Sequence, residues 1–485
     1  MNEGSGNIRR HREPDGHVSE GTNTATGTAG LPSSGVLDVE SLRAEVECGE
    51  IDTVVVALVD LQGRLQGKRY DASFFLDEVA HATIEGCAYL LATDVEMAPV
   101  EGYQLCSWDA GFPDMRLRPD LATLRRLPWY PNTVLCLAEA ETHSGAPIEV
   151  SPRTVLRRQL ERLAALGLHA RTATELEFLL FATDSAAARA QRFAELVPLV
   201  PYNADYGIQT TGAGEPFVGA VRRSMVRAGM VVESSKGECG PGQYEVAIRH
   251  SDPVTTADQH AVFKLGVKEL AAQHGYCATF MAKYGVSEGS SCHIHVSLWD
   301  ENGAPVFATS TGQNTEVLRY FLGGLRACAP ELMVFLAPNV NSYKRFVPGS
   351  FAPTNSAWGE DNRTCAFRVV GEASSRRIEN RIPGADVNPY LALAATIAAG
   401  CEGIERKLDP GPPASGNAYM ESSQDSPLLP SSLADAARAI GNSQVARRAF
   451  GEDVVTHYAH MAEVEWKAFS QTVTDWERMR GFVRL

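Results

Sequence analysis

Residues 174–178 read Thr-Glu-Leu-Glu-Phe, and Leu180 extends the pattern. Side chains alternate along a strand, so Glu175 and Glu177 share one face while Leu176, Phe178 and Leu180 share the other. The apolar back fixes where the acids point, and adjacent carboxylates repel unless a cation lies between them. A solvated strand face looks the same, so the surroundings decide. Just upstream, Ser151-Pro152 reads as an N-cap followed by proline at the first helical position, with an apolar stripe at Leu156, Leu160 and Leu163 and a stop at Gly167. Nearer the N-terminus come a short helix from Asp38 to Cys48, a strand at 53–60 (TVVVALVD), a return strand over 61–70 containing Gly63 and Gly67, and a helix over 73–82. Downstream, helices are expected over 254–274 and 316–329 and after Asn388-Pro389. A Pro/Ser/Gly-rich loop covers 410–430, and one helical pattern runs over 453–480. Irregular alternation of this kind predicts an α+β chain, with a small domain over 36–143 and a larger one over 144–485. Residues 1–35 hold almost no large apolar side chain and predict a disordered tail.

Composition narrows the function. The 485 residues carry 44 Lys and Arg against 59 Asp and Glu, a net charge of −15. A broad basic face for nucleic acid is therefore not expected, whereas an acidic surface favours metal cations and amines. No apolar run reaches membrane-spanning length, and the N-terminus has no hydrophobic signal segment. The ten cysteines lack CxxC spacing, and Cys136, Cys328 and Cys401 sit among apolar or small residues. They read as reduced thiols, and the chain as cytoplasmic with no membrane partner.

Four further segments join the paired glutamates. In Glu238-Cys-Gly-Pro-Gly-Gln-Tyr-Glu245 a Pro-Gly turn can bring the two flanking acids together, and Gln243, Glu245 and Ala247 share a strand face. In Cys292-His-Ile-His-Val-Ser-Leu298, His293, His295 and Ser297 share one face and Ile294, Val296 and Leu298 the other. In Arg376-Arg-Ile-Glu-Asn-Arg381, Arg377, Glu379 and Arg381 lie opposite Ile378 and Ile382. Asn341-Ser-Tyr-Lys-Arg345, with Arg363 and Arg368 behind it, supplies guanidinium groups suited to phosphates or carboxylates. Five glutamates, two histidines and several arginines on apolar-backed strands form a ligand set for hard divalent cations beside an anion-rich site. That combination points to phosphoryl transfer.

At these residues the chain resembles the glutamine synthetase family, from about residue 40 to the C-terminus and most strongly after Ser151. The segments ELEF, PGQYE, HIHVS, NSYKRFVPG, NRT, RRIENR and EWKAFSQTVTDWE stand in family order. The resemblance implies a β-grasp-like N-terminal domain and a catalytic domain built as an antiparallel β-sheet funnel with outer helices. It also implies stacked rings of identical subunits, with a neighbour's N-terminal domain completing each site. Glu177, Glu238 and Glu245 would hold one metal. Glu175, His293 and Glu379 would hold the second, with two or three Mg²⁺ (or Mn²⁺) ions in all. Glu233, His295 and Ser297 would contact ATP, and Arg363 and Arg368 its phosphates. Arg345 would clamp the α-carboxylate of L-glutamate, Arg381 would stand beside its γ-carboxylate, and Gly289 would lie in the glutamate loop. Arg363, Arg345 and Arg381 would thus serve the chemistry. The family reaction makes γ-glutamyl phosphate from glutamate and ATP, and an amine then displaces phosphate.

Three departures concern the amine. The flap reads Val347-Pro-Gly-Ser-Phe-Ala-Pro353, so Phe351 replaces the acid that true glutamine synthetases carry, and a phenyl ring can neither take a proton nor pair with ammonium. The Asp-Gly-Ser-Ser motif is absent, Asp94 being the nearest match, and Glu288 replaces the asparagine of the glutamate loop. Phe351 can instead pack against the alkyl part of a larger amine or attract a cationic one. The chain is therefore expected to resemble the γ-glutamylamide synthetases, which act on polyamines, ethanolamine or other monoamines. The alternatives are an ammonia-using glutamine synthetase and a catalytically silent relative. Glu372, Asp94 and Glu96 are the candidate bases. Tyr419, in GNAYMESS, falls near a tyrosine adenylylated in some members, but its surroundings differ and no modification is assigned.

Overall fold

The first sheet grows from Thr53–Val59 (β1), a β-branched run whose inner residues are buried. β1 pairs antiparallel with Leu65–Asp71 (β2) and parallel with Thr133–Glu141 (β5). Asp114–Arg126 (β4) and Ile84–Cys87 (β3) complete the order β2-β1-β5-β4-β3. Between β1 and β2 the buried Asp60 carboxylate accepts from the backbone N–H of Gln62 (3.0 Å) and Arg64 (2.8 Å), and Gly63 takes φ +78°. The first helix is Val39–Glu47, started by the Asp38 side chain accepting from Ser41 N–H at 2.7 Å. The helix expected over 73–82 is shorter, Ala72–Asp77, because the chain tightens into a 3₁₀ turn at Val79–His81.

This computed structural model describes residues 35–286, 289–420 and 426–485. The expected tail (apart from residue 35), Glu288 and part of the 410–430 loop lie outside them. Residues 35–485 pack as one unit.

The second sheet has the order β11-β12-β13-β10-β6-β8-β7, with β9 added against β6. Its strands are Leu168–Phe181 (β6), Val232–Gly237 (β7), Gln243–Ile248 (β8), Cys277–Thr279 (β9), Cys292–Asp300 (β10), Trp358–Glu360 (β11), Phe367–Val370 (β12) and Arg377–Asn380 (β13). Every pairing is antiparallel except β11 with β12. The long β6 changes neighbours along its length. Its first part pairs β10, placing Glu175 opposite His293, and its later part pairs β8, placing Glu177 opposite Glu245.

Outer helices back this sheet. Pro389–Arg406 is almost wholly buried, and it meets Glu316–Cys328 where only glycine fits. A Cβ on Gly403 would lie 2.0 Å from the Tyr320 carbonyl, and one on Gly324 would lie 2.0 Å from that of Ala399. The single helix expected over 453–480 is two, Glu452–Ser470 and Asp475–Gly481. Thr474 starts the second through a capping box with Glu477, which competes with helix continuation. Among the described residues no helix is long and apolar enough to cross a membrane.

Arg153, buried in the helix Pro152–Ala165, ties the first sheet to the helix Pro253–Gln273. Its guanidinium bonds Asp258 (3.0 and 2.7 Å), Asp120 on β4 (3.1 Å) and Glu139 on β5, and Tyr390 Oη donates to Asp258 at 2.5 Å. Removing one partner of a buried ion pair strands the others without compensation, at a cost of about 3–5 kcal/mol. Arg153→Ala should therefore lower thermal stability far more than Arg438→Ala, an exposed helical pair, when melting is followed by circular dichroism.

Candidate active site

The two acid clusters lie two residues apart along β6. In the first, Glu177, Glu238 and Glu245 bring carboxylate oxygens within 4.8 Å of one another. The Glu177 oxygen Oε2 accepts from Gln243 Nε2 (2.6 Å) and Ser291 N–H (2.8 Å), which hold it in place. Glu238 pairs with Lys236 at 2.6 Å, and Lys236 also bonds Asp205 at 2.7 Å. Burial, then the charges of Glu175, Glu238 and Glu177, pushes the Glu245 carboxyl up to about 9, and burial raises Glu177 and Glu238 as well.

Three converging carboxylates whose burial and mutual repulsion work against their charge are a hard-cation donor set, so these residues fit Mg²⁺ or Mn²⁺. Two results follow. At neutral pH a divalent cation should displace a proton from this cluster, so calorimetric Mg²⁺ binding heats should vary with buffer ionisation enthalpy. A raised carboxyl binds its proton more tightly in the folded chain than in the unfolded one. The metal-free protein should thus lose this contribution as pH rises from about 4.5, the ordinary glutamate value, through about 9, and saturating Mg²⁺ should flatten the slope of Tm against pH.

The second cluster contains both histidines. His295 Nε2 is 2.7 Å from Glu175, while His293 Nδ1 is 3.3 Å from Glu175 and 3.4 Å from Glu379. The trio whose ligand atoms lie within 4.8 Å of one another is Glu175, His295 and Glu379. His295, expected on the nucleotide, therefore stands among the cation donors beside His293. The cause is strand pairing: β10 runs between β6 and β13, so His293 opposes Glu175 and His295 opposes Glu379. Burial, then the Arg381 charge, lowers His293 to about 4, leaving it neutral at pH 7 as a ligand must be.

The arginines divide. Arg368 bonds Glu379 (2.8 Å) and Asp361, and Arg381 bonds Glu379 and the Phe351 carbonyl (3.5 Å). Nε of Arg381 is buried with no partner among the described residues. Arg345 is buried and donates to the carbonyls of Ile382 (2.9 Å) and Arg381 (3.4 Å). Gly289 lies against it, since a Cβ there would meet Arg345 Cγ at 2.4 Å. Arg363 is exposed, and its charge acts on Asp361. Glu233 is exposed and paired with Arg249 at 2.9 Å. Ser297 accepts from Trp299 Nε1 at 3.1 Å. Phe351 is 57% exposed. Among the candidate bases, Glu372 caps a 3₁₀ turn with Ser375, Asp94 accepts from the N–H groups of Glu96 and Ala98, and Glu96 is exposed.

Several residues escaped the sequence reading. Gln243 shares a strand face with Glu245 without a role of its own in the motif, and Ser291 and Lys236 carry no motif of their own. Arg377 donates to His295 Nδ1 at 3.1 Å. Trp299 continues the face of His295 and Ser297 by simple alternation, and the Arg171 guanidinium lies 4.3 Å from its ring centroid.

The family of the glutamine synthetase catalytic domain matches residues 149–480. The chain belongs to the glutamine synthetase family. It is 51% identical over 449 residues to a gamma-glutamylethanolamide synthetase of Streptomyces coelicolor, covering 93% of this chain and 96% of the relative. It is 40% identical over 443 residues to a glutamate–isopropylamine ligase of a Pseudomonas species, covering 90% and 96%. Among solved structures, an ADP complex of GmaS superposes with a TM-score of 0.77 at 28% identity, covering 91% of this chain and 99% of that one.

Proposed function

We propose that this chain joins the γ-carboxylate of L-glutamate to an organic amine, consuming ATP and releasing ADP and phosphate. The flap carries this reading: Phe351 is exposed there, and its carbonyl accepts from Arg381, which pairs with Glu379 of the second acid cluster. Relatives named for ethanolamide formation and for isopropylamine support an organic amine over ammonia.

The residues divide the work. Glu177, Glu238 and Glu245 hold one cation, and Glu175, Glu379 and the two histidines hold the second, with Mg²⁺ or Mn²⁺ as the ion. When bound, such cations neutralise charge on the phosphates and on the group in transfer. Arg345 receives the α-carboxylate of glutamate, with Gly289 allowing the approach, and the unpartnered Nε of Arg381 turns to the γ-carboxylate. Arg368 and Arg363 draw the ATP phosphates. Glu233 and Ser297 serve the nucleotide, with His295 kept for the cation beside it, and the Trp299–Arg171 stack offers a flat surface further along the same strand face. The γ-carboxylate attacks the γ-phosphorus and ADP leaves. The amine then attacks the acyl carbon, and phosphate carries away one former carboxylate oxygen.

The working protein is, in this reading, a cytoplasmic homo-oligomer of stacked rings. Trp476, Met479, Phe482 and Leu485 form an exposed apolar end that a second copy would cover, and the ten cysteines are free thiols. Glutamate labelled with ¹⁸O in its γ-carboxylate tests the chemistry. With ethanolamine as amine, each phosphate released should carry one labelled oxygen, and unlabelled phosphate would contradict carboxylate activation.

A further inference from the structure

The flap is held from below by a loop that the reaction scheme leaves without a task. Tyr419 Oη donates to the Ala352 carbonyl at 3.1 Å, and Arg381 donates to the adjacent Phe351 carbonyl at 3.5 Å. Between these anchors Phe351 takes φ +57°, a left-handed conformation that a residue with a side chain holds only when its surroundings impose it. The loop carrying Tyr419 is itself fixed. Asn355 Nδ2 donates to the Ala418 carbonyl at 2.8 Å and Asn362 Nδ2 to that of Gly416 at 2.7 Å. Burial raises the pKa of the phenol, and the charges of Arg381 and Arg345, the Phe351 backbone and the Ser350 hydroxyl work against that rise.

We propose that Tyr419 is a positioning residue for the amine step. With Arg381 it clamps two successive flap carbonyls, and so aims the Phe351 ring over an amine whose remainder is uncharged. The inference rests on the reading that an organic amine is the second substrate. The ring supplies an apolar wall for an alkyl chain, while Arg345 and Arg381 close by repel a second ammonium group. A fixed cover also protects the acyl phosphate. Water attacking its acyl carbon yields glutamate and phosphate, so a loosened cover shows as phosphate released without amide.

The test uses the full chain with ATP, glutamate, Mg²⁺ and ethanolamine, reading phosphate and amide together. Tyr419→Phe keeps the ring and removes the hydroxyl. Phosphate released per amide formed should rise from near one to about three or more, and the KM for amine about fivefold to tenfold, as for one lost hydrogen bond. The KM for glutamate should move less than about twofold, which a general structural defect would not spare. Phe351→Ala, which leaves the phenol in place, should raise the amine KM in the same way and carries the test if Tyr419→Phe fails to fold. Putrescine should be used at least about tenfold less efficiently than ethanolamine by the parent, as expected for a charged tail. Parent-like coupling and amine KM in these variants, with the parent still making the ethanolamide, overturn the role of Tyr419 alone. A parent that makes only glutamine from ammonium overturns the organic-amine reading and this inference together. Putrescine used as well as ethanolamine overturns the uncharged-tail assignment.

Discussion

Glu245→Ala is expected to abolish ATP turnover with every amine, by at least about a thousandfold, the scale of losing a preorganised electrostatic contact in a closed site. Glu245 sits opposite Glu177 across two strands and shares a three-carboxylate cluster with Glu238. If this cluster holds a cation, removing Glu245 leaves it two of its three carboxylates. The same substitution relieves repulsion in the metal-free chain, because burial and three nearby acids work against the Glu245 charge. Metal-free Glu245→Ala protein should therefore melt no lower than the metal-free parent at pH 8, and Mg²⁺ should raise its Tm less. Loss of activity with retained melting separates a cation role from a folding defect. Substantial turnover in the variant would contradict the assignment.

Phe351→Glu has the second largest expected effect, and it is a change of preference. A carboxylate at this exposed position can pair with ammonium and accept its proton, which a phenyl ring cannot. The ratio of kcat/KM for ammonium to that for ethanolamine should rise by about tenfold to a hundredfold, the range of general-base assistance at its lower end. Competition assays reading glutamine against the ethanolamide by mass spectrometry measure the ratio directly. An unchanged ratio would count against the flap as the seat of selectivity.

Much of the architecture was legible because strand alternation leaves a sharp signature. The apolar backs of 174–180 and 292–298 told which side chains face the site, and β6 and β10 carry them as that alternation requires. Helix starts at Asp38 and Asn388 were legible from capping chemistry. What the residues could not tell was pairing. The family resemblance puts Glu175 and Glu177 at different metals, but the physical cause, β6 changing partners from β10 to β8, is not in the residues, and neither is the place of β13 beyond β10 that brings His295 to the acids. Arg153 was invisible for the same reason, since its partners Asp120, Glu139 and Asp258 come from three distant elements. The C-terminal helix was overextended because a 3.6-residue pattern continues across the break, while the capping pair Thr474 and Glu477 marks it. Tyr419 lies in a loop segment that gives no sign of its partner, and only the fold shows it bonded to the flap.

In this reading the flap selects an organic amine over ammonia. Phosphate release with ATP, Mg²⁺ and glutamate, measured across ammonium, ethanolamine, isopropylamine, putrescine and spermidine, tests it most directly. One monoamine should be turned over with a kcat/KM at least about tenfold above that of ammonium, as expected where apolar contact supplies the selectivity. A response chiefly to ammonium, with the organic amines near background, would contradict it.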